Sequence, residues 1–310
     1  MPHDHQGPAT GRRLGLSIVL TFGFVLAEAA AGYFSNSLGL LSDAGHNLTD
    51  ALALMLSWYA VRVSRRPADA RKTFGYHRAG VLAALANAVT LVGIALFIFW
   101  EGVERIRSPQ PVQAGPMIGV ALVAVLLNAL ISVWLHDEAQ RDLNIRSAYL
   151  HMLGDAASAA GVVMAGIILA LTGQPLADTV VSILIGVMVL WSSWSILIEA
   201  VDVLLEAAPR GLDVGKLIQS IQQVPGVQNV HDLHVWTISS GMAACCCHIV
   251  VGEQSARDGQ RIQQAVGELL DRDFRVAHTT IQIEAEPCRG GADIHCRMQN
   301  EGPEHSGHEH

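Results

Sequence analysis

Two ten-residue stretches decide how this chain folds: Ser42-Asp43-Ala44-Gly45-His46-Asn47-Leu48-Thr49-Asp50-Ala51 and Ser147-Ala148-Tyr149-Leu150-His151-Met152-Leu153-Gly154-Asp155-Ala156. Each carries His-x-x-x-Asp inside a long apolar run. A uniform shift of 105 residues, from 42 to 147, aligns Ser42, His46, Leu48, Asp50 and Ala51 with Ser147, His151, Leu153, Asp155 and Ala156. An aspartate at mid-bilayer depth costs about 2.5–3.5 kcal/mol on insertion scales, so it needs a compensating partner. Spacing i, i+4 stacks His and Asp on one helix face, about 5–6 Å apart at Cβ. Two such faces turned together supply two imidazoles and two carboxylates, a tetrahedral set suited to Zn²⁺ at about 2.0–2.2 Å from each ligand. The competing reading is polar glue between helices, satisfied by backbone or by Ser and Asn. That suffices for one pair, whereas two pairs in one register favour a metal. Asp43 is matched by Ala148 and reads as a helix-start or proton-handling group, not a ligand.

The surroundings of both stretches are those of a membrane protein. The 310 residues are 51% apolar and 15% charged, with a mean hydropathy of +0.34, whereas soluble domains carry about a quarter charged residues. A helix needs about 20 apolar residues to cross roughly 30 Å of hydrocarbon. Six stretches qualify: about 14–34, 38–62, 79–104, 114–136, 144–172 and 178–205. Ser35-Asn36-Ser37, the polar segment 64–78, Ser108-Pro109-Gln110-Pro111, the charged run after His136 and Gly173-Gln174-Pro175 separate them. Arg12, Arg13, Arg62, Arg65, Arg66, Arg71, Lys72, Arg78, Arg141 and Arg146 fall on one side, and only Arg105 and Arg107 on the other. The positive-inside rule puts both termini in the cytoplasm, in agreement with an even number of spans. No cleavable signal peptide is expected, because the first apolar run lacks a small-residue cleavage site. The expected organisation is a cytoplasmic tail (1–13), a six-helix transmembrane domain (14–205), a cytoplasmic metal-binding α+β domain (206–288) and a flexible His-containing tail (289–310). Net charge is −8 and no basic stripe is present, which excludes nucleic acid as a partner.

Residues 213–223 and 255–272 have helical periodicity, while 227–238, 243–251 and 276–285 are rich in β-branched and apolar residues. The order αββαβ describes a small open sheet. His231, His234, His248 and His278, with Glu284, lie on or beside its strands, and their convergence points to bound metal. All five cysteines lie after residue 205. Three in a row, Cys245-Cys246-Cys247, cannot form an ordinary disulfide framework, which suggests a reducing compartment or thiols used for metal. At least two of the three read as small buried hydrophobes, and Cys288 and Cys296 are candidates for a metal pair with His295. The ends His3-Asp4-His5 and His305-Ser306-Gly307-His308-Glu309-His310 are at most helpers in metal capture.

Four protein ligands leave no open position for a catalytic water, and no His-Glu-x-x-His run is present. The chain therefore reads as no enzyme and without a catalytic cofactor, and a closed site in the bilayer suits a transported ion. At this point the 42–50 run, Thr73-Phe74-Gly75-Tyr76-His77-Arg78, the His151 to Asp155 pair and Val230-His231-Asp232-Leu233-His234-Val235-Trp236 together resemble the cation diffusion facilitators. The likeness is to the bacterial zinc, cadmium and cobalt exporters and their animal vesicular relatives. It implies a homodimer of six-helix subunits with ferredoxin-like cytoplasmic domains, exchanging cytoplasmic metal for protons by alternating access. It also implies a transport site on His46, Asp50, His151 and Asp155. Members with Asp in place of the first His also handle iron or manganese, so His46 favours Zn²⁺ and disfavours Mn²⁺.

The resemblance further implies a loop metal at Asp69, although Lys72 and Tyr76 stand where its histidines belong. His77 matches a loop histidine that binds metal in the animal transporters, or is a solvated loop residue. In the tail it implies regulatory Zn²⁺ at positions like His231, His248 and Glu284, with Gln282 in place of a histidine. Two other functions compete with a proton-coupled zinc exporter serving homeostasis and resistance. One is a membrane-anchored zinc sensor with a structural transmembrane site, and the other is a membrane metalloenzyme.

Overall fold

The computed structural model describes residues 8–140, 143–239 and 241–286. Six long helices come first: α1 (Pro8–Ser35), α2 (Leu38–Ser64), α3 (Ala79–Arg107), α4 (Ala114–Ala139), α5 (Leu143–Thr172) and α6 (Leu176–Leu204). They are followed by α7 (Val214–Gln222), β1 (Asn229–Ser239), β2 (Met242–Val250), α8 (Ala256–Phe274) and β3 (His278–Glu284). The chain forms two compact units, one of residues up to 68 with 82–200, the other of 69–81 with 201 onward.

The first unit is inside out by the standard of a soluble protein. Many of its large apolar side chains face outward, Trp191 82% and Leu171 81% exposed, although Leu40, Leu91, Met117 and Ile185 pack in a buried cluster. Small and polar residues share the interior with them: Ala88, Ala95, Ala121, Ala159 and Ala165 are buried, and so are Glu28, Ser42, Asp43 and Asp178. Small residues let helix backbones approach closely where lipid provides no hydrophobic drive between helices. Among the described residues four helices are long and apolar enough to cross a membrane: Ala79–Arg107, Ala114–Asp137, Tyr149–Thr172 and Leu176–Leu204. In α2 the strip of Ser42, Asp43, His46, Asn47, Thr49 and Asp50 dilutes the hydropathy, and these are the residues turned inward. Helix α4 lies along α5, α1 along α2, and α2 meets α5, which brings the two His-x-x-x-Asp segments together.

In the second unit a three-stranded sheet of order β1-β2-β3 pairs β1 and β2 antiparallel and β2 and β3 parallel. A parallel pair needs a crossover, and α8 supplies it. Side chains of Asp213 and Ser255 cap α7 and α8. Leu217, Ile221, Leu233, Val235, Cys245, Cys247, Ile249, Val266 and Leu270 form the core between helices and sheet. The sequence-expected αββαβ order is the order observed. Gly226, in the turn before β1, holds φ +98°, and a Cβ there would stand 2.5 Å from Ile262 Cδ1. Gly226→Ala is therefore expected to destabilise this unit by about 1–3 kcal/mol, seen as a lower thermal transition of the purified protein. An unchanged melt would contradict that packing.

The register of β1 slips between His231 and His234, and Asp232 inside the slip has φ 47°. This bulge, one extra residue that re-aims its neighbours, decides which face the histidines occupy.

Candidate metal centre

Helices α2 and α5 gather donor atoms of His46, His151 and Asp155 within 4.8 Å of one another, and Asp50 faces both imidazoles. Asp155 Oδ1 lies 3.5 Å and Asp50 Oδ2 3.6 Å from His46 Nε2. His151 Nε2 stands 3.2 Å from Asp50 Oδ2 and 3.7 Å from Asp155 Oδ2. Four donors at about 2.0–2.1 Å around a tetrahedral centre stand about 3.3–3.4 Å from one another, so these spacings match the edges of a zinc polyhedron. Asp50 Oδ2 is buried yet aligned for a hydrogen bond with neither imidazole, as expected of a ligand atom aimed at an ion. His46 and Asp155 are buried, while the His151 side chain is 44% exposed, so the cluster is open on the His151 side.

Asp43 lies inside α2, whose N-cap is Ser37, so it does not start the helix. It is 1% exposed, and its carboxyl lies within hydrogen-bonding reach of Glu28 of α1. Asn47 Nδ2 donates to Glu28 Oε2 over 3.0 Å, while Glu28 Oε1 and Asp43 Oδ1 find no donor among the described residues. Glu28 was missed in the sequence. Its signal was present, a lone carboxylate in the middle of the first apolar run.

On the tail sheet a second cluster forms. His231 Nε2 is 3.1 Å from Glu284 Oε2, and His248 Nδ1 is 3.0 Å from Glu284 Oε1. His231 and His248 are direct β1–β2 partners, and His248 pairs with Gln282 of β3. Glu284 Oε2 and His248 Nδ1 are buried without an aligned hydrogen bond despite these approaches. The donor set of two imidazoles and a carboxylate fits Zn²⁺.

The other expected positions go elsewhere. His234 lies beside Asp232, Nε2 to Oδ1 3.2 Å. His278 is exposed, and its ring meets Phe74 edge-on at 5.4 Å. His77 lines a cavity of about 210 Å³ with Arg78, Glu206 and Trp236. Asp69 accepts from the Lys72 and Arg71 backbone amides and from Tyr76 Oη, each at 2.8 Å. These bonds, that from Lys72 first, hold its carboxyl below the ordinary aspartate range, and it joins no metal cluster among the described residues. Cys288 and Cys296 lie outside the described residues. Cys245 and Cys247 are buried in the core, and the hydrogen bond between them, with burial, pushes the Cys245 thiol up. Of the three consecutive cysteines, Cys246 is the partly exposed one.

Comparison with known proteins agrees with this architecture. The "cation efflux transmembrane domain" family matches residues 14–205, and the "cation efflux protein, cytoplasmic domain" family matches 209–286. The zinc transporter ZitB of Escherichia coli (strain K12) is 40% identical over 313 residues, covering 100% of this chain and 96% of that protein. A cadmium, cobalt and zinc/H(+)-K(+) antiporter of Bacillus subtilis (strain 168) is 34% identical, covering 97% of each chain. The metal cation efflux system protein CzcD of Cupriavidus metallidurans is 36% identical, covering 92% of this chain and 90% of that protein. With both of its units matched in order, and relatives aligned over nearly their full length, this chain belongs to the cation efflux family.

Proposed function

We propose that this protein exports Zn²⁺ from the cytoplasm in exchange for protons, with Cd²⁺ as a further substrate, and that His46, Asp50, His151 and Asp155 carry the ion. The observation that bears the reading is the set of four inter-ligand distances, 3.2 to 3.7 Å, on two helices of a membrane unit. Imidazole with carboxylate suits zinc better than manganese, which prefers oxygen donors. Metal ligands must be deprotonated to bind, so the imidazoles of His46 and His151 lose their protons when zinc arrives. They regain them when it leaves, which ties ion movement to a proton gradient. The arginine distribution supports cytoplasmic termini, so the ion enters from the side of the tail. Zn²⁺ on His231, His248 and Glu284 then reports cytoplasmic zinc to the transporter, and a homodimer joined through the tail completes this reading.

The test is zinc uptake into proteoliposomes loaded with a zinc-sensitive dye, with and without an imposed pH gradient. Uptake that accelerates when the lumen is the more acidic side is the expected result. Zinc that binds the protein but never enters the vesicles would sink the transport reading in favour of a membrane-anchored sensor.

A further inference from the structure

At one end of the membrane unit a polar clasp joins α3 to the turn between α1 and α2. Asn36, in that turn, has φ 56° and presents two oxygens to the same guanidinium. Arg105 of α3, only 6% exposed, donates through Nη1 to the Asn36 carbonyl at 2.6 Å and through Nη2 to Asn36 Oδ1 at 3.0 Å. Its Nε donates to Glu101 Oε1 of its own helix at 2.9 Å, which fixes the guanidinium on α3. The α3–α4 connection closes over the turn: Asn36 Nδ2 donates to the Pro111 carbonyl at 3.0 Å, and the Gln113 amide donates to the Ser35 carbonyl at 2.9 Å.

The clasp lies at the sealed end of the ion's site. From Leu38, where α2 starts, to His46 is about 12 Å at 1.5 Å per residue, and Leu38, Gly39, Leu40, Ser42, Asp43 and Ala44 along that length are all buried. Past the quartet the character of α2 reverses, since none of residues 52–59 is buried, and the His151 side chain is 44% exposed. We propose that Arg105 and Asn36 form a latch that holds the ion path shut at this end, and that zinc leaves only when the latch opens. Helix α3 cannot part from the α1–α2 turn without breaking two charge-assisted hydrogen bonds together. Losing one such bond shifts a two-state equilibrium by about tenfold, a bias small enough to be reversed in every cycle. The inference rests on the quartet being the ion's station and on the arginine distribution, which puts the clasp on the side away from the tail.

Asn36→Gly tests the latch with little risk to the fold. Glycine accepts the positive φ and keeps the carbonyl that Nη1 bonds, while the bonds of Oδ1 and Nδ2 are lost. In a Ser42→Cys background, a membrane-impermeant maleimide is applied to intact cells, and labelling at position 42 is followed by peptide mass spectrometry. The five native cysteines all follow residue 205, so their protection shows that the reagent acts from the side of the clasp. Adding Asn36→Gly is expected to speed labelling at position 42 by about tenfold, with a thermal transition close to the parent's. Labelling at the parental rate would overturn the latch, and so would faster labelling with a clearly lowered melt, which marks a loosened fold. Labelled native cysteines would overturn it too, because the clasp would then share the tail's side. Zinc binding by the detergent-solubilised parent is measured in parallel, and its absence would remove the transport reading whatever the labelling rates.

Discussion

Asp155→Ala is expected to stop zinc flux while leaving the chain inserted. Asp155 is 4% exposed, and its two oxygens serve both helices, Oδ1 facing His46 of α2 and Oδ2 facing His151 of its own helix. Removing it leaves three donors, with Asp50 Oδ2 as the one carboxylate of the set still facing both imidazoles. Losing even an outer-shell partner typically weakens a metal site by about 10–100-fold, so loss of a direct ligand is expected to reduce uptake by at least about 100-fold. Insertion is expected to persist, because the substitution removes a carboxylate from a membrane-spanning helix. The measurement is dye-reported uptake in proteoliposomes alongside membrane insertion. Uptake at the parental rate would remove Asp155 from the ion's path, and with it the four-ligand site.

Asp178→Ala is expected to act on stability instead. Asp178 of α6 is fully buried, and its carboxylate caps the start of α2 from another helix. Oδ1 accepts from Ser37 Oγ at 2.7 Å and from the Gly39 amide at 3.1 Å, while Oδ2 accepts from the Leu38 amide at 2.7 Å. The cap is crowded, since a Cβ on Gly39 would stand 2.7 Å from Asp178 Oδ1. Arg105 Nη1 is 3.9 Å from Oδ2, and the same guanidinium also bonds Glu101 and Asn36. Alanine here strands two amides, a hydroxyl and part of a buried cation where no water competes. Breaking a buried ion pair from one side costs about 3–5 kcal/mol, so the purified variant is expected to melt well below the parent or to fail to accumulate. Asp178→Asn retains the shape and part of the bonding and should fall between them. A parental melting temperature for Asp178→Ala would show that the α2 start is held by something else.

The helices and strands were legible along the chain because their signals are local. Apolar run length marked the spans, proline and glycine marked the breaks, and alternating periods distinguished α7 and α8 from the strands. The ends were less legible: α1 begins at Pro8 rather than near 14, and α3 runs to Arg107. Polar residues continue a helix beyond the hydrocarbon, where hydropathy no longer marks it. That His46 shares a face with Asp50, and His151 with Asp155, was legible for the same local reason, since an i, i+4 pair shares a face in any helix. Glu28 and Asp178 were not singled out, because a lone carboxylate in an apolar run does not say which helix it will meet.

The sheet gives the sharpest division. Strict alternation from the sequence separates His231 from His234, three residues apart, onto opposite faces. The bulge at Asp232 reunites them, and cross-strand register then adds Cys246, His248 and Glu284 to the same surface. Composition and periodicity were enough to establish a multi-span membrane protein, two matched ligand pairs and a small α+β tail, because each of these follows from the order of residues along one helix or strand. That α2 meets α5 at the height of both pairs, that α6 caps α2, and that five ligand-type residues share one face of a sheet depend on contacts between segments far apart in the chain. Helix packing and strand register set those contacts, and neither is written in any single stretch of sequence.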